Sequence, residues 1–74
     1  MNNKSKSEEV DVMENTINEV IKVMNNFGWL GVDKKVLSLN QSAMRFFKGV
    51  LRQQGKTESE IQSIQQYIDQ NTNG

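Results

Sequence analysis

Cysteine, histidine and proline are all missing from this chain of 74 residues, and aromatic side chains make up only 7% of it. Without cysteine there is neither a disulfide nor a thiolate. Without histidine the commonest general base and the usual zinc ligands are gone. Chemistry would be left to carboxylates and hydroxyls. Asp11, Glu14 and Glu19 fall outside the apolar stripe of their segment, where nothing would raise a carboxyl pKa, and no hydroxyl has an evident base beside it. The expectation is a non-enzyme with no catalytic residue, no cofactor and no metal.

Long apolar runs are also lacking. Nothing approaches the roughly 20 residues of a membrane span, and the segment MNNKSKSEEV holds no apolar stretch of the kind that directs secretion. A cytoplasmic protein without membrane contact is expected. A chain this short buries only about 60% of the surface its unfolded form exposes. With disulfides and metals excluded, a partner subunit or a larger protein is the remaining extra source of stability, and a homodimer is the form expected here.

The formal net charge is zero, yet the charges are sorted along the chain. Up to residue 33, Lys4, Lys6 and Lys22 stand against Glu8, Glu9, Asp11, Glu14, Glu19 and Asp33. Residues 34–56 carry Lys34, Lys35, Arg45, Lys48, Arg52 and Lys56 with no acid among them. Glu58, Glu60 and Asp69 then make the remainder acidic. This sorting is the strongest functional signal in the sequence.

Apolar residues at Val10, Met13, Ile17, Val20, Met24 and Phe27 recur at alternating spacings of three and four, which only a helix can place on one face. The spacing predicts a helix over 8–26, capped at its start by Ser5 with Glu8 or by Ser7, and closed by Gly28 in a left-handed conformation. FGWLGVD, with two glycines, reads as a loop. A second helix is predicted over 38–54, with Ser38 and Gln41 spaced as a capping box. Its apolar arc runs from Leu39 through Ala43, Met44, Phe46, Phe47 and Val50 to Leu51, with Arg45, Lys48 and Arg52 opposite. A third, over 58–70, starts behind a Thr57/Glu60 capping box and has a narrow stripe of Ile61, Ile64 and Ile68. The fold class is therefore all-α: a small three-helix domain, a hairpin of the first two helices plus a weaker third, over residues 8–70. Residues 1–7 and 71–74 are expected as disordered tails.

The stretch GVLRQQGKT ends like a phosphate-binding loop, but five residues separate Gly49 from Gly55 where that loop needs four, and no strand leads into it. It reads instead as a helix-to-helix corner, with Gly55 ending one helix and Thr57 beginning the next. Such a corner also suits a DNA-binding regulator of helix-turn-helix type at residues 47–66. There, Gly55, Ile61 and Ile64 fit the spacing, and Gln62, Gln65 and Gln66 could read adenine edges. Glu58 and Glu60 at the start of the second helix weigh against it, since phosphates repel carboxylates.

These signs converge on a small protein-binding module that regulates or assembles a partner with an acidic surface. Arg45, Lys48 and Arg52 would dock it, because no interleaved acid pairs with them at helical spacing. Trp29, Leu30 and Phe46 are the candidate apolar anchors, although the thin core favours Trp29 and Leu30 folding back over it as a lid, and Phe46 could be core between the outer helices. The stripe of Val10, Met13, Ile17, Val20 and Met24 would be the self-association seam.

Overall fold

In the computed structural model, which describes the backbone of residues 3–73 and the side chains of residues 8–72, the chain forms helices α1 (Asn3–Asn26), α2 (Lys34–Leu39), α3 (Gln41–Gln53) and α4 (Glu58–Asn73). No strand occurs among the described residues, so the fold is all-α. Helix α1 begins upstream of Ser5 and Ser7, inside the stretch expected to be a tail, and α4 runs on to Asn73. Met1, Asn2 and Gly74 lie outside the described residues.

Two glycine corners shape the chain. After α1, the amide of Trp29 donates to the carbonyl of Met24 at 2.9 Å and that of Gly28 to Asn25 at 3.1 Å. After α3, the amide of Lys56 donates to Leu51 at 3.1 Å and that of Gly55 to Arg52 at 3.0 Å. In each corner these two bonds satisfy carbonyls that the helix end would leave open, and they require a left-handed residue between them. Gly28 and Gly55 supply it, with φ of 102° and 87°.

The second predicted helix is in fact two. Asn40 adopts an extended conformation, φ −110° and ψ 109°, which closes α2, while its side chain accepts from the amide of Ala43 at 3.1 Å and so opens α3. Asp33 caps α2 in the same way, through the amide of Val36 at 2.9 Å. The expected Ser38/Gln41 capping box is thus replaced by Asn40, whose short side chain bonds its own backbone readily. The break also turns Leu39, expected in the buried arc, out to 74% exposure, and Leu37 takes its place inside.

Helix α3 is central: α1, α2 and α4 all pack against it, and α2 packs on α4 as well. Phe47 is fully buried at its middle, as is Leu51. Helix α1 brings Ile17, Val20 and Met24 to this core and α4 brings Ile61, Ile64 and Ile68. Among the described residues, the core holds no buried polar or charged side chain.

One polar lock crosses the surface between helices. Glu14 of α1 accepts from the ammonium of Lys34 on α2 at 2.7 Å and from the phenol of Tyr67 on α4, while the same ammonium lies 5.7 Å from the Tyr67 ring centre. The Lys34 hydrogen bond, and after it that of Tyr67, holds the Glu14 carboxyl below its usual range. In return, the carboxylate pushes the Tyr67 phenol up to about 12.

Candidate functional site

The outward face of α3 carries Arg45, Lys48 and Arg52, as its spacing requires. These three, with Gln41, Met44 and Gln65, line a cleft of about 300 Å³ between α3 and α4. Gln65 enters it because it follows the buried Ile64 by one residue, a rotation of about 100° around α4. Met44, only 8% exposed, gives the cleft an apolar base.

Arg52 departs from expectation. Its Nε lies 2.7 Å from Glu58 Oε2 and its Nη2 3.2 Å from Glu58 Oε1, a two-pronged pair that bridges the Gly55 corner. The hydrogen bonds raise the Arg52 pKa and lower that of Glu58, which also feels the charge of Lys48. Arg52 is therefore not an uncompensated cation, because the corner folds the start of α4 back beside the end of α3. Arg45, exposed, and Lys48, half-buried, form no salt bridge with any described residue. The free charge of the basic row is concentrated on these two.

The expected apolar anchors gather elsewhere. Phe46 stacks edge-on against Phe27, with ring centres 5.7 Å apart, and lies 6.0 Å from the Trp29 ring. Trp29 and Phe46 are half-buried against the core, whereas Leu30 is 80% exposed. None of the three lines the basic cleft. Phe27, placed on the buried stripe by its spacing, is 70% exposed, since α1 ends one residue before it.

The stripe expected as a self-association seam is divided. Ile17, Val20 and Met24 are fully buried within a single chain and so have no surface to offer a second copy. Val10 remains 40% exposed, and Met13 is half-buried. Met13 and Val12 line an open groove of about 720 Å³ on the other flank of α4, together with Glu8, Glu9, Ile64 and Glu60 among others.

The GVLRQQGKT corner cannot cradle an anion. The amides of Gly55 and Lys56 are engaged by carbonyls of α3, and that of Thr57 donates to Glu60 Oε1 at 2.8 Å. Thr57 Oγ1 accepts from the Glu60 amide at 3.2 Å, completing the expected capping box, and the Thr57 amide, followed by the Thr57 hydroxyl, donates to the Glu60 carboxylate and lowers its pKa. The corner's own amides, from Gln54 to Thr57, thus all have partners within the chain.

Among the described residues, no group of three acidic side chains is placed to hold a metal ion, and no helix is long and apolar enough to cross a membrane. Comparison with protein-family models, with curated proteins and with solved structures finds no match to this chain. The lock residues Glu14, Lys34 and Tyr67 were not foreseen, and neither were Met44 and Gln65 as cleft residues.

Proposed function

We propose that this chain is a small non-catalytic binding module that grips an acidic protein surface in the cleft between α3 and α4. The observation that carries this reading is the pair Arg45 and Lys48, one turn apart on α3, with no salt bridge among the described residues and an apolar methionine beside them. Two cations on one turn attract carboxylates and set the register of a docked surface, and the methionine adapts to whatever apolar group accompanies them. Arg52 contributes by shape more than by charge, since Glu58 neutralises it. The alternative, duplex DNA at the corner of residues 47–66, is disfavoured by Glu58 and Glu60 at the start of α4.

A fluorescently labelled, glutamate-rich helical peptide tests the reading by anisotropy, with a duplex DNA of similar charge as a second probe. The wild type should bind the peptide, and Arg45→Glu with Lys48→Glu should weaken it by about tenfold or more at unchanged helicity. Peptide binding that ignores the reversal defeats the reading. Tighter binding to the DNA, falling steeply with salt, favours the nucleic-acid alternative.

A further inference from the structure

We infer that the acidic occupant of the cleft is the N-terminal part of α1 from a second copy of the chain. The inference rests on the reading of the cleft given above and names its partner.

Glu8, Glu9, Val10, Asp11 and Val12 are all exposed, and the fully buried part of α1 begins only at Ile17. The uniformly exposed stretch from Glu8 to Val12 is about 7 Å of helix, at about 1.5 Å per residue, and forms an arm that ends where Met13 packs on the core and Glu14 is held by Lys34 and Tyr67. Helical spacing sets Glu8, Glu9 and Val12 on one face, since residues three and four apart are neighbours. That face carries two carboxylates and a valine that is 61% exposed. The cleft offers the reciprocal set, Arg45 and Lys48 beside Met44.

The arm cannot reach the cleft of its own chain. Helix α4 stands between them, with Ile64 facing the arm side and Gln65 facing the cleft. The contact must therefore join two copies through two different patches, so each copy offers one arm and one cleft. The same arrangement explains why a chain of zero net charge keeps its acids and bases so far apart.

Neutral variants separate the patches: Glu8→Gln with Glu9→Gln and Asp11→Asn for the arm, and Arg45→Gln with Lys48→Gln for the cleft. Sedimentation should show the wild type growing in mass with concentration and returning to monomer at about 1 M salt, where charges are screened within about 3 Å. Each variant alone should self-associate about tenfold more weakly or not at all. An equal mixture should give a one-to-one complex and nothing larger, because only one intact arm and one intact cleft remain. A wild type that stays monomeric at every concentration, or a mixture that fails to pair, overturns the inference. In that event, retained binding of the glutamate-rich peptide to the wild-type cleft leaves the cleft reading standing, and loss of that binding as well removes both.

Discussion

The two halves of α1 obey the same sequence rule and meet opposite fates. Both repeat apolar residues at three and four, but Ile17, Val20 and Met24 are completely buried while Val10 stands 40% exposed and Met13 only half-buried. Periodicity tells a helix which way its oily side faces. It does not tell the helix whether anything will be there to meet it. The second half has α3 to pack against; ahead of Met13 and Glu14, the first half faces α4 only across an open groove.

The largest contrast comes from truncating one residue in each half. Ile17→Ala should lower unfolding free energy by about 2–5 kcal/mol, a large share of what a domain of this size has. Val12→Ala should stay within about 0.5 kcal/mol of the wild type in a denaturant titration, while weakening self-association. A costly Val12→Ala would mean that the arm belongs to the fold after all.

The lock at Glu14 sits where the two halves join, and its removal should cost less. Glu14→Gln is expected to destabilise the chain by about 1 kcal/mol, since the lock is partly exposed and only partly desolvated. Its pH dependence has a definite sign. The Glu14 pKa is lowered in the fold, so its contribution is complete above the usual 4.5 and fades as pH falls through the folded value. The Tyr67 pKa is raised from 10 to about 12, so the contribution of the neutral phenol is complete below 10 and fades as pH rises toward 12. The difference in melting temperature between wild type and Glu14→Gln should be flat from about pH 4.5 to pH 10 and shrink outside that window. Tyr67→Phe should remove the alkaline decline and weaken the acid one, since the phenol also helps to hold the Glu14 pKa down.

Smallest of all should be Arg52→Ala. Its pair with Glu58 is solvent-exposed on both sides, at 50% and 69%, so the melting temperature should barely move. The peptide affinity should also change far less than it does at Arg45 or Lys48. An equal loss at all three positions would show that the basic row acts as one unit despite the pairing.

Local chemistry was readable from the sequence. Gly28, Gly55 and the Thr57/Glu60 box lie where glycine's freedom and a hydroxyl three residues before a carboxylate demand them. The stripe of α1 and the isoleucines of α4 followed from spacing alone. Asn40 was missed because the apolar run continues straight through it, and a good N-cap residue is also tolerated inside a helix. Arg52 was misread because its partner lies across a turn, where pairing depends on how the corner folds and not on helical spacing. The lock was invisible for the same reason, with sequence separations of 20 and 53 between its members. Of the candidate site, the cationic row could be read in advance; its division into one satisfied and two unsatisfied charges could not.

A purely oily interior has a consequence for how this molecule keeps one shape. Hydrocarbon contacts are forgiving about sliding and rotation, and no hydrogen bond among the described buried side chains penalises a slipped neighbour. The task of excluding rival arrangements falls to the periphery, to two glycine hairpin bends, three capping side chains and one carboxylate gripped from two directions. Evolution should find the inside of this protein easy to rewrite and its joints hard.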